Sequence, residues 1–154
     1  MKLIQGDLFA ALPSDKKIII PHVCNNIGAF SAGFVVPLSK TWPRTKTEYY
    51  KKKKLDALRL GEVQFIKVEE NIVVANMIAQ DDLIGPNNLV PLKYDALEKC
   101  IERVANYAIT FAPDGLMEIH APKFGTERAG GQWSQIEPII LRHLGGYPIT
   151  IYYL

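Results

Sequence analysis

Residues 17–34 read Lys17-Ile18-Ile19-Ile20-Pro21-His22-Val23-Cys24-Asn25-Asn26-Ile27-Gly28-Ala29-Phe30-Ser31-Ala32-Gly33-Phe34. Three consecutive isoleucines, without apolar/polar alternation, suit a strand buried on both faces. The loop that follows places small residues where the backbone must come close to something, and it leads into a helix. In open α/β sheets this edge, beyond the carboxyl ends of the strands, is where ligands bind.

Outward from this stretch, apolar runs bounded by turn residues alternate with helical periods, which predicts an α/β domain with an internal sheet of about six strands. The strands are Lys2–Gln5, Lys17–Cys24, Val63–Val68, Asn71–Ile78, Leu116–Ala121 and Pro148–Tyr153, with a hairpin turn at Glu69-Glu70-Asn71. Leu97, Ile101, Val104 and Ala108 recur at helical spacing within a helix over Leu92–Phe111, with Pro91 just before it. A second helix, Gln135–Leu144, has a Ser134/Glu137 capping box, Pro138 in its first turn, and Gly145-Gly146 as its stop. A third follows Gly33 and is kinked or shortened by Pro37, and a polar helix covers Thr47–Leu58.

The 154 residues fit one domain, residues 1–154, with 48% hydrophobic side chains and a net charge of +2 that disfavour disorder and a strongly basic nucleic-acid binder. The run Lys51–Lys54 reads as a solvated helix face, so a nucleic-acid partner is not expected. No apolar run reaches the ~18 residues of a spanning helix. Gln5, Gly6 and Asp7 interrupt the start where a signal peptide needs an apolar stretch, so a cytoplasmic protein without a membrane partner is expected. Cys24 and Cys100 have no CxxC spacing, which leaves buried free thiols as their ordinary use. His22, Cys24 and His120 would make a metal site only if the fold brought them together, and the reading requires no metal and no cofactor.

A second loop, Pro122-Lys123-Phe124-Gly125-Thr126-Glu127-Arg128-Ala129-Gly130-Gly131-Gln132-Trp133, repeats the strand-loop-helix arrangement. Free amides at two such loops on one sheet edge would hold a diphosphate between them. Neither GxGxxG nor GxxxxGK[ST] occurs, which disfavours a Rossmann cofactor or P-loop nucleotide, and there is no GxSxG elbow.

Six segments in register carry a family resemblance: Gly6-Asp7-Leu8-Phe9, His22 through Phe34, Leu60-Gly61-Glu62-Val63-Gln64-Phe65, Ala75-Asn76-Met77-Ile78-Ala79-Gln80, Tyr94-Asp95-Ala96-Leu97, and Pro122 through Trp133. Together they resemble a macrodomain, of the compact bacterial and phage kind related to the ADP-ribose 1''-phosphate phosphatases and terminal ADP-ribose protein glycohydrolases. The resemblance implies a three-layer α/β/α fold with a mixed sheet and a cleft for ADP-ribose or an ADP-ribosylated substrate. It also implies hydrolysis at the distal ribose, of a phosphate or an acyl ester; the alternative is a reader that binds without turnover.

By the same resemblance Asp7 takes the adenine amino group beside Leu8, and Asn25 faces the distal ribose as the catalytic candidate. Gly28 and Gly33 with Phe34 match the first phosphate loop, and Gly125 with Ala129, Gly130 and Gly131 matches the second, where Thr126 and Arg128 are further ligand-binding candidates from this chain's own residues. Phe30 packs on the distal ribose. On residue chemistry alone Asp7 reads first as a helix cap and Asn25 first as an Asx turn, while Phe30 reads equally as a core aromatic. The proton acceptor stays open among Asp81, Asp82, His22 and the substrate's own phosphate. Gly125-Thr126-Glu127-Arg128 departs from the family's Gly-Cys-Gly-Leu, and Gln80 and Ala129 stand where the terminal glycohydrolases have a lysine nucleophile and an aspartate. A lysyl covalent mechanism is therefore not expected, and a Cys24 nucleophile is a weaker third reading.

Overall fold

The computed structural model describes every residue from Met1 to Leu154. In chain order the elements are β1 (Lys2–Gln5), α1 (Leu8–Ala11), β2 (Lys17–Asn25), α2 (Val35–Thr41), α3 (Arg44–Lys54), β3 (Val63–Glu69), β4 (Ile72–Gln80), α4 (Tyr94–Phe111), β5 (Met117–Pro122), α5 (Trp133–Leu144) and β6 (Ile149–Tyr153), with a 3-10 turn at Glu127–Ala129. The strands form one mixed sheet in the order β1-β6-β5-β2-β4-β3. Only β3 runs antiparallel, paired to β4 through the expected hairpin. No helix is long and apolar enough to cross a membrane.

The isoleucine run divides between two cores. Ile19 faces α4 and α5 and meets Leu97, Ile101, Ile136 and Ile140, while Ile18 and Ile20 face the other layer and meet Leu8, Leu38 and Tyr49. All nine residues of β4 are buried. Each fully buried isoleucine contributes about 2 kcal/mol relative to exposure, so covering both faces of β2 and β4 holds the three layers together.

Local departures from expectation have local causes. Pro37 is the third residue of α2, where its missing N–H has no intrahelical acceptor in any case, so it introduces no kink. Pro43 begins the polar helix earlier than expected, at Arg44, and the helix ends at Lys54. Ser134 does not cap α5: the helix starts at Trp133, and Glu137 instead accepts a 2.9 Å bond from Trp133 Nε1. Pro138 consequently lies in the second turn. Leu92 stays outside α4 because its N–H donates to Ala129 O, tying this segment to the second loop. The single turn α1 carries no apolar periodicity long enough to reveal it.

Two features of the topology part β2 from β5 at one edge of the sheet. Pairing between β2 and β5 stops at Ile19 and Ile119, and β2 then runs on to Asn25 and β5 to Pro122 without pairing to each other. The chain leaves β2 toward β3 and β4 but leaves β5 toward β6, so the two following loops diverge at a topological switch point.

Candidate functional site

The first loop is organised from inside by Asn25. Its Oδ1 accepts the backbone N–H groups of Ile27, Gly28 and Ala29 at 3.1–3.2 Å and the Tyr49 hydroxyl at 2.9 Å, and its Nδ2 donates to Ala29 O at 2.7 Å. The Tyr49 hydroxyl also lies 2.7 Å from Asn25 O. Asn25 is 7% exposed, and the carboxamide works as the keystone that sets the backbone path through residues 25–29. Asn26 performs a second clamp: Nδ2 donates to Asp81 Oδ1 and Oδ1 accepts from Asp82 N–H, both at 2.9 Å. This brings the end of β4 beside the loop.

Beyond Ala29 the bonding stops. None of the backbone N–H groups of residues 31–35 has an acceptor within the protein. The second loop repeats this at Gly125, Thr126, Glu127 and Arg128, whose N–H groups are also without internal acceptors. Ala129 and Gly130, in contrast, donate to Thr126 O and Glu127 O, which moves the free amides toward the start of this loop. Glu127 holds φ +46°, a sparsely populated conformation for a residue with a side chain. The two loops meet where the Arg128 side chain lies over Gly33: a Cβ there would sit 3.3 Å from Arg128 Cδ. Two stretches of unpartnered backbone donors thus come together at the Arg128 side chain, a composition suited to a polyanion.

The glycines divide by what they make room for. A Cβ on Gly130 would lie 2.3 Å from Leu89 O, and one on Gly125 would lie 2.8 Å from Ile136 Cδ1, so both accommodate the protein's own packing. Gly28 is covered by the Lys53 side chain, whose Cδ would lie 2.1 Å from a Cβ. Gly33, at φ +80°, is exposed and meets only Arg128. Lys53 and Leu89–Leu92 pack against the two loops, which sequence reading missed. The lysine run carried a signal for the first; nothing local announced the second.

The remaining candidates separate clearly. Phe30 is 1% exposed and packs against Tyr49 at 4.8 Å between centroids, so its ring belongs to the core and offers no surface to a ligand. Leu8 is buried beside it in the same cluster. Phe34 is half-buried and stacks on Phe9 at 5.5 Å. Thr126 turns its hydroxyl onto Lys123 O. Asp7 is exposed and caps α1 through Oδ1 to Phe9 N–H at 3.0 Å, leaving its second oxygen free. Both uses of Asp7 can therefore be measured. Asp7→Ser keeps a capping oxygen and is expected to hold the melting temperature while weakening a bound amino group by about 1–3 kcal/mol; an unchanged affinity, measured by calorimetry, would leave Asp7 a cap only.

His22 lies beneath the loop, 2% exposed, against Phe30 and Phe34. Asn76 donates through Nδ2 to Thr45 O and Gln64 Oε1, so its Oδ1 accepts from His22 Nε2, which fixes the neutral Nε2–H tautomer. Burial lowers the His22 pKa to about 4, against the bond to Asn76 that raises it. Such a ring is a weak base shielded from solvent, which removes it from the proton-acceptor candidates. As pH falls, the unfolded chain takes up this proton before the folded protein does. Stability is therefore full above 6.5 and declines toward about 4. The contribution at stake is about 3 kcal/mol, readable as a fall in urea midpoint between neutral pH and pH ~4 that His22→Gln flattens.

Cys24 is buried, and burial raises its thiol pKa well above the ordinary value, so it is no nucleophile. His120 bonds Tyr152 and Glu118 at 2.8 Å, away from His22 and Cys24, and the three do not form a metal site.

No protein-family model matches the chain. The ADP-ribose 1''-phosphate phosphatase of Candida albicans is 27% identical over 139 residues, 89% of each chain. Among solved structures, a protein of unknown function from Bacteroides thetaiotaomicron superposes with a TM-score of 0.89 at 36% identity, covering 99% of this chain and 97% of that one. A macrodomain protein from Streptomyces coelicolor superposes with a TM-score of 0.82 at 34% identity, covering 99% and 98%.

Proposed function

The chain belongs to the macrodomain family, and on that footing we propose that it binds ADP-ribose where β2 and β5 part and hydrolyses a group carried on the distal ribose. The observation that carries this reading is the pair of unpartnered amide rows, residues 31–35 and 125–128, with Arg128 across Gly33 between them. A diphosphate laid between the rows takes donors from both sides. The adenosine then extends toward Asp7 at the end of β1, and the distal ribose toward Asn25 and Gly28. The name of the Candida albicans relative supports the phosphate monoester as one substrate, with an acyl ester to protein as the other.

For the monoester, water attacks phosphorus, the bond from phosphorus to the 1''-oxygen breaks, that oxygen takes up a proton from solvent, and ADP-ribose and inorganic phosphate leave. Asp81 is the acceptor we favour for the water's proton: it is half-buried, held by Asn26 through one oxygen, and keeps the other free. Asn25 acts here as a positioning residue, since its polar atoms shape the loop. Loop amides stabilise charge developing on the phosphates.

Phosphate release from ADP-ribose 1''-phosphate tests the catalytic half. Asp81→Asn is expected to lower kcat about a hundredfold with ADP-ribose affinity retained. A wild-type protein that binds ADP-ribose but releases no phosphate and cleaves no ADP-ribosyl ester would instead be a reader, the reading favoured by Gln80 and Ala129 at the glycohydrolase positions.

A further inference from the structure

Helix α3 carries Arg44, Lys46 and Lys51–Lys54 against one acid, Glu48. Lys51 is paired to Glu48 at 3.0 Å. Lys53 has no carboxylate partner, and it is the lysine that reaches the first loop. Its stem crosses Gly28, its Nζ lies 3.4 Å from Gly28 O, and the same Nζ stands 5.9 Å from the centroid of the Tyr50 ring. Lys46, also without a carboxylate partner, has its Nζ 5.8 Å from the same ring centroid. An ordinary packing role over Gly28 needs only the methylene stem. The ammonium itself is an uncompensated charge tethered at the Asn25–Gly28 end of the loop, opposite to the Gly33 end where Arg128 sits.

We infer that Lys53 is a specificity-determining residue that grips an anionic substituent on the distal ribose, so that the site prefers a terminal phosphate monoester to an uncharged acyl ester. This rests on the placement of ADP-ribose proposed above, and it adds a division of labour between two cations. Arg128 serves the diphosphate at one end of the loop, and Lys53 serves the 1''-phosphate at the other. A flexible ammonium suits this second task because it neutralises a phosphate as a point charge and releases inorganic phosphate without a bidentate grip.

The test compares two probes by calorimetry: ADP-ribose, and a non-hydrolysable analogue carrying a phosphonate at the 1'' position. Lys53→Met keeps the stem over Gly28 and removes the charge. The wild type is expected to bind the phosphonate at least tenfold tighter than ADP-ribose, and Lys53→Met to lose that preference with its ADP-ribose affinity within about twofold of wild type. Lys53→Arg restores most of the preference. A wild type that binds both probes equally, or a Lys53→Met that keeps the preference or weakens both probes alike, overturns the inference. Absence of any ADP-ribose binding by the wild type would overturn the placement of the ligand instead.

Discussion

Gly33→Glu is expected to abolish ADP-ribose binding while the domain stays folded. Gly33 is exposed, lies among the unpartnered amides of residues 31–35, and touches only the Arg128 side chain. With the diphosphate placed as proposed, a carboxylate there enters its space and pairs with the Arg128 guanidinium in its stead. Like charges about 4 Å apart at an effective dielectric near 20 repel by about 4 kcal/mol, roughly a thousandfold in affinity. The stability effect is smaller and has a different origin. The first helical residue is Val35, so Gly33 precedes the helix, and its φ of +80° makes any side chain strained. That strain costs about 1–2 kcal/mol. Gly33→Ala shares it without the charge, so the difference in Kd between the two variants isolates the carboxylate. Normal binding by Gly33→Glu would show that this loop does not hold the diphosphate.

The second large effect is at Asn25. Replacing it by alanine strips the acceptor from three backbone N–H groups and the Tyr49 hydroxyl, and strips Ala29 O of its donor. Losing this buried set is expected to destabilise the domain by about 3 kcal/mol and lower the melting temperature by about 10 °C. The damage falls on residues 25–29, the end of the loop to which the proposal assigns the distal ribose, and spares the amide row of residues 31–35. Turnover should therefore fall about a hundredfold while ADP-ribose affinity falls less than about tenfold. Asn25→Asp keeps an acceptor for the three N–H groups but sets a second carboxylate oxygen against Ala29 O at a buried position, and is expected to recover only part of the melting temperature. Full turnover in a folded Asn25→Ala would remove the keystone from the reaction.

The layers were legible because β2 and β4 are apolar at consecutive positions, which only a strand covered on both sides tolerates, and because α4 shows its buried stripe so regularly. The two loops were legible as a pair because each follows such a strand with small residues. Their inner workings were not. Nothing within residues 25–34 tells whether the Asn25 carboxamide turns outward to a ligand or inward to its own loop; the Tyr49 hydroxyl, reaching in from α3, helps to decide it. Gly130 likewise makes room for Leu89, a residue four tens distant in sequence whose approach depends on the path between β4 and α4. The divergence of β2 from β5 above Ile19 is a property of the twisted sheet and leaves no mark in composition.

A calorimetric titration with ADP-ribose, set beside one with AMP, tests the central claim most directly. The account predicts saturable binding of one ADP-ribose per chain and weaker binding of AMP, which lacks the second phosphate and the distal ribose and so engages only part of the two amide rows. No heat with ADP-ribose at millimolar concentration, from protein shown to be folded, would contradict it.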